Sequence, residues 1–116
     1  MNHKEDKLQM AVAGFLDLRN VLWFHCENEG KKTPQQAYRS KQKGLKAGVP
    51  DIMIFEPRGK YVGLAVELKV GKNKPSPEQD AWLLKLAFRG WATSVCYSLE
   101  DFIKLFNHYI NQDVWL

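Results

Sequence analysis

Asp51, Glu67 and Lys69 are set in a frame that suits phosphate-ester chemistry. Asp51 follows Gly48-Val49-Pro50, and Glu67-Leu68-Lys69 ends an apolar run that begins after a turn. Two carboxylates can hold a hard divalent cation with its waters, and an ammonium beside them can orient a water or stabilise negative charge. Hydrolysis of a phosphodiester needs a nucleophile, neutralisation of developing charge and support for the leaving oxygen. Two ionised carboxylates at close range repel, so without a cation one of their pKa values must rise. An isolated Glu-x-Lys carries little meaning, because a strand-end ion pair is common and contributes only about 0–1 kcal/mol. Asp51 alone could equally cap a turn after Pro50. The two pieces together point to a site.

The flanking elements decide whether those groups can meet. Leu8, Ala11, Val12, Phe15 and Leu16 recur at helical spacing and predict an amphipathic helix over about 5–19. Residues 21–25, rich in aromatic and branched side chains, predict a strand. Thr33-Pro34 reads as an N-cap followed by proline at the first helical position, and Gly44 as the stop of that short helix. A strand over 51–55 then leads through Pro57-Arg58-Gly59-Lys60 into an antiparallel partner over 61–69. Strand alternation puts Val62, Leu64, Val66 and Leu68 on one face. It puts Tyr61, Gly63, Ala65, Glu67 and Lys69 on the other, where Gly63 and Ala65 leave room for a packed helix. In this hairpin Asp51 and Glu67 can meet at one edge. Ser76-Pro77-Glu78-Gln79 opens a helix with an apolar stripe of Trp82, Leu83, Leu86 and Ala87, ended by Gly90. A strand over 92–97 and a helix opened by Ser98 complete the chain. A helix between two strands commonly joins parallel neighbours by a right-handed crossover. The expected class is α/β, a mixed central β-sheet flanked by helices, with residues 1–116 as a single domain.

The chain has 116 residues, with 45% hydrophobic and 26% charged, which is ordinary for one globular domain. It has no long apolar run suited to a membrane span, and its polar, acidic start does not resemble a signal peptide, so a cytoplasmic location is expected. Cys26 and Cys96 lie in apolar surroundings and read as small, reduced core residues, with no zinc spacing. The net charge of +4 is unevenly distributed. Lys31, Lys32, Arg39, Lys41, Lys43 and Lys46 form an acid-free tract, and Lys72 and Lys74 follow Lys69 as a second cluster. Either is a solvated surface or a polyanion-binding one; beside a carboxylate site, nucleic acid is favoured.

The order of these pieces resembles the PD-(D/E)xK nuclease superfamily, and more closely its small stand-alone VRR-NUC domains. The resemblance is carried by His25-Cys26-Glu27-Asn28-Glu29-Gly30-Lys31, Lys46-Ala47-Gly48-Val49-Pro50-Asp51, Glu67-Leu68-Lys69 and Ser76-Pro77-Glu78-Gln79. It implies a restriction-endonuclease-like fold. It also implies that Asp51 and Glu67 ligate Mg2+ or Mn2+, with the Leu68 carbonyl a further candidate, that Lys69 is the catalytic lysine, and that Gln79 helps arrange the site. Ser76-x-x-Gln79 is equally a capping box, and on the sequence the two roles compete for one side chain. The superfamily adds an acid from the first helix: Glu5 is the choice and Glu29 the competitor, with a helix-dipole charge the plain alternative for Glu5. His25 could reach a phosphate but more commonly such a histidine is packed or hydrogen-bonded.

The resemblance implies a metal-dependent, structure-selective DNA endonuclease acting on branched or flapped DNA such as Holliday junctions. The alternatives are a non-catalytic DNA-binding module on the same fold and an RNA-directed protein, for which no RNA module is recognisable. Lys31, Lys32, Arg39, Lys41, Lys43, Lys46, Lys72 and Lys74 are the expected phosphate contacts. Cutting two strands symmetrically needs two sites, so a homodimer is expected. The apolar side of the last helix, with Phe102, Phe106 and Tyr109, is one candidate interface and otherwise core; Trp115 is exposed or packs on a second chain.

Overall fold

Four strands and four helices follow one another in the computed structural model, which describes residues 3–26 and 32–114. They are α1 (His3–Asp17), β1 (Trp23–His25), α2 (Pro34–Gln42), β2 (Ile52–Ile54), β3 (Gly63–Leu68), α3 (Pro77–Phe88), β4 (Trp91–Cys96) and α4 (Leu99–Ile110). The sheet order is β1-β2-β3-β4. The first two pairings are antiparallel, and β3 lies parallel to β4 across the α3 crossover. The α/β class and mixed sheet expected from the residues are those observed. No helix among the described residues is long and apolar enough to cross a membrane.

The alternating faces of β3 divide the core. Leu64, Val66 and Leu68, with Ile52 and Ile54 of β2, bury against Leu8, Val12 and Leu16 of α1 and Phe102, Phe106 and Tyr109 of α4. Each such side chain, taken fully out of water, contributes about 1.5–3 kcal/mol before entropy is counted. The α4 side chains offered as an interface are therefore core, at most 2% exposed. Phe15 meets Phe102 and Phe106 edge-on, at ring separations of 6.0 and 5.4 Å. On the opposite face Met53 and Ala65 pack with Leu86 and the half-buried Trp82 and Trp91. The room left at Ala65 is taken by α3 as expected. The room at Gly63 is taken instead by the Trp91 ring, which a Cβ there would meet at 2.5 Å.

Helix starts are set by side chains. Thr33 and Ser76 each accept the N–H of the glutamine three residues on, and Gln36 and Gln79 each accept the cap residue's N–H in return. Ser98 caps α4 through the Asp101 N–H. α2 has no buried residue, so its nine residues rest on the Thr33 box and the following Gly44 rather than on a core. It carries Arg39 and Lys41 into solvent, with Lys43 and Lys46 just beyond, and Lys32 donates to the Ser40 hydroxyl at 2.9 Å. Lys31, Glu29 and Trp115 lie outside the described residues.

Candidate active site

The meeting of the two acids follows from register. Ile52 pairs with Val66, so one step outward sets Asp51 opposite Glu67 at the end of the β2–β3 ladder. Directly opposed side chains have Cβ atoms about 4.5–5.5 Å apart, and like charges in that position are destabilising. Asp51 is further fixed by its own backbone and side chain. Its Oδ2 accepts the Leu68 N–H at 2.8 Å, and its carbonyl accepts the Cys26 N–H at 3.1 Å. His25 Nδ1 lies 2.8 Å from the same carbonyl, so the histidine is engaged with the loop that carries Asp51.

Glu67 is 2% exposed, the one buried charged residue among those described. Its Oε2 accepts the Gln79 Nε2–H at 2.8 Å and lies 3.9 Å from the Lys69 ammonium, too long for a hydrogen bond. Its Oε1 is buried with no hydrogen-bond partner. Burial first, and the neighbouring Asp51 charge second, push the Glu67 carboxyl up to about 8, against the pull of Lys69. Burial also raises Asp51, opposed by the Leu68 N–H and by His25. The shift at Glu67 favours its protonated form at neutral pH. Asp51 and Lys69 are half-buried and open this edge to solvent.

Gln79 makes a capping bond and a bond to Glu67 at once, although on the sequence the two uses compete. Its Oε1 accepts the Ser76 N–H at 2.8 Å while its Nε2 donates to Glu67. An amide has an acceptor end and a donor end, so the cap at the start of α3 also fixes the buried acid. Gln79→Ala is expected to lose about 1–2 kcal/mol, and Ser76→Ala, which spares the contact to Glu67, about 1 kcal/mol. Urea unfolding of both variants checks this; a Ser76→Ala loss as large as that of Gln79→Ala would remove the separate contribution of the Glu67 contact.

The loop before Asp51 runs tightly over the same helix start. Gly48 has φ +90°, and a Cβ there would lie 2.6 Å from the Glu78 carbonyl carbon and oxygen and 2.9 Å from the Gln79 nitrogen. Gly48→Ala is expected to cost about 3 kcal/mol through backbone strain and overpacking. An unchanged urea midpoint would show that the loop does not need this approach.

Glu5, the first-helix acid, accepts from Asn73 Nδ2 at 3.5 Å. Among the described residues no three His, Cys, Asp or Glu side chains gather into a group that could hold a metal ion, so Glu5 does not join the pair here. The two-acid site fits a hard cation on other grounds: opposed carboxylates and a buried carboxyl oxygen left without a donor. Lys72 and Lys74 lie just past Lys69, around Gly71 and Tyr97. Tyr97, expected only as the end of the last strand, stands one step beyond Cys96, which pairs with Leu68.

A family model described as the VRR-NUC domain matches residues 3–100. A solved structure titled "VRR_NUC domain protein" is 27% identical, over 95% of this chain and 90% of its own, with a TM-score of 0.80. Another, "VRR_NUC domain", is 24% identical over 91% of this chain and 97% of its own; its TM-score of 0.62 shows likeness of fold. No curated protein sequence matches the chain.

Proposed function

The chain belongs to the VRR-NUC domain family, a nuclease-type family, and on that premise we propose a divalent-metal-dependent, structure-selective DNA endonuclease acting on branched DNA such as Holliday junctions. The observation that carries the proposal is the convergence of Asp51, Glu67 and Lys69 at one edge, with a carboxyl oxygen of Glu67 buried and unpartnered. Asp51 and Glu67 would hold Mg2+ or Mn2+, with the Leu68 carbonyl as a further candidate. When bound, the ion supplies a Lewis acid and lowers the pKa of a coordinated water. Gln79 keeps the Glu67 carboxyl from turning, because it is itself held by the Ser76 backbone. Lys69 would orient the attacking water or stabilise charge on the phosphoryl oxygens.

Affinity is assigned to the basic residues. Lys32, Arg39, Lys41, Lys43 and Lys46 are largely exposed on or beside a helix that buries nothing, an arrangement that suits phosphates rather than base edges. With Lys31, Lys72 and Lys74 they supply the DNA surface. A twofold homodimer would bring two sites to a four-way junction. Its contact must lie away from Phe102, Phe106 and Tyr109, which are internal.

The test is a panel of four-way, flap, fork and linear DNAs incubated with magnesium, manganese or chelator. Cleavage is expected on the branched members only, to vanish on chelation and to fall on the order of 100-fold in Lys69→Ala with binding retained. Binding without cleavage under every metal would leave the non-catalytic DNA-binding reading. The affinity is expected to drop steeply with salt, and less steeply after Arg39→Ala with Lys41→Ala, each phosphate contact carrying a slope of about 0.9. A salt response unaltered by that pair would take α2 out of the interface.

A further inference from the structure

Beside the acids lies a second feature that the nuclease reading does not use. The parallel strands β3 and β4 end together at Leu68 and Cys96, and the Lys69 N–H continues the ladder to the Cys96 carbonyl at 3.0 Å. Ligands in such sheets bind outside the carboxyl ends of parallel strands. Immediately beyond these ends is a shallow, open cleft of about 450 Å³ lined by Gly71, Lys72, Lys74 and Tyr97. The turn that forms one wall is closed by the Asn73 N–H to the Val70 carbonyl at 3.1 Å. Gly71, at φ +59°, has nothing within 4 Å of where its Cβ would be, so that wall is open.

Tyr97 is 39% exposed. Among the described residues its ring has no aromatic, cationic or hydrogen-bonding partner, and neither lysine has an ion pair. A partly exposed aromatic ring with two unpaired cations beside it is a combination that suits single-stranded nucleic acid: every base has a π-face to stack, and the ammonium groups take the flanking phosphates. A duplex offers no free base face at such a cleft. A phosphate-only contact would make no use of the ring.

We propose that this cleft binds an unpaired nucleotide next to the scissile phosphate, its base stacked on Tyr97 and its neighbouring phosphates on Lys72 and Lys74. The inference rests on the nuclease reading above and deepens it: the site's preference for branched DNA would come in part from a strand that is locally unpaired beside Lys69. Tyr97 acts in positioning, not in the chemistry.

The test compares the wild-type chain with Tyr97→Ala, Tyr97→Phe and the Lys72→Ala/Lys74→Ala pair. Binding is measured under chelator to a flapped DNA and a blunt duplex of the same length, with 2-aminopurine placed in turn at each flap position near the branch. The wild type is expected to quench one position. Tyr97→Ala should lose that quenching and bind the flap about 10-fold more weakly while its duplex affinity is unchanged; Tyr97→Phe should retain both. The lysine pair should weaken both DNAs and lower the salt slope. Equal flap affinity in Tyr97→Ala and the wild type overturns the inference, as does an equal loss on flap and duplex, which would mean a contact to paired DNA. Failure of the wild type to bind either DNA removes the nuclease reading and this inference together.

Discussion

Glu67→Gln is expected to yield a chain that folds at least as well as the natural one at pH 7 and cleaves DNA on the order of 100- to 1000-fold more slowly. Glu67 is 2% exposed, and its carboxyl, pushed up to about 8, is already neutral at that pH without metal. Glutamine has the same length and no charge to bury. Its carbonyl can keep the Gln79 Nε2–H, and its amide is neutral like the protonated acid it replaces. What it cannot do is present a second anionic oxygen to a hard cation. Stability and activity should therefore move apart, which is unlike the usual fate of a buried substitution, where both fall. Cleavage of a four-way junction in magnesium, alongside urea unfolding in chelator, reads the two quantities. Undiminished cleavage would take Glu67 out of the chemistry. A large loss of stability would mean that the acid is held charged in the native chain.

The same residues show what a sequence can and cannot carry. The hairpin that opposes Asp51 to Glu67 was legible because alternation, a Pro57–Gly59 turn and a run of branched residues fix both strand and face. The starts of α2 and α3 were legible because Thr33-Pro34 and Ser76-Pro77 are local signals, satisfied within four residues. For Gln79 the sequence presents a choice between two roles, since spacing specifies the cap but not what lies above the free end of the amide. The α4 stripe could not be divided between core and interface, because periodicity reports a buried face and not what buries it. Alternation marks Gly63 as space on the helix-facing side, but does not show that a Trp91 ring from the next strand fills it. Gly48 has no local signal for its contact with Glu78, which is distant in the chain. Glu5 depends on the docking of a whole helix, and its carboxylate meets Asn73.

A metal-free sample should lose stability as the pH rises from about 5 to 8, and a divalent cation should reverse the trend. In the folded chain the Glu67 proton is held up to about 8; in the unfolded chain it leaves near 4.5. Between those values folding takes up a proton, so stability is complete below the lower value and is lost toward the upper one, at no more than about 1.4 kcal/mol per pH unit. The raised Asp51 acts in the same direction. At several degrees per kcal/mol for a domain of this size, the melting temperature should fall on the order of 10 °C across the interval. A cation held by Asp51 and Glu67 competes with that proton, so its binding strengthens with pH, and at a hundred times its dissociation constant it adds about 2.7 kcal/mol. Scanning calorimetry of the wild type and Glu67→Gln in chelator and in manganese, at pH 5, 6, 7 and 8, measures both effects. Subtracting the variant removes titrations unrelated to this acid. The difference should slope downward in chelator and upward in manganese. A difference that is flat in chelator would mean Glu67 is ionised in the folded chain despite its burial. One that falls in manganese as it does in chelator would mean that no cation displaces its proton.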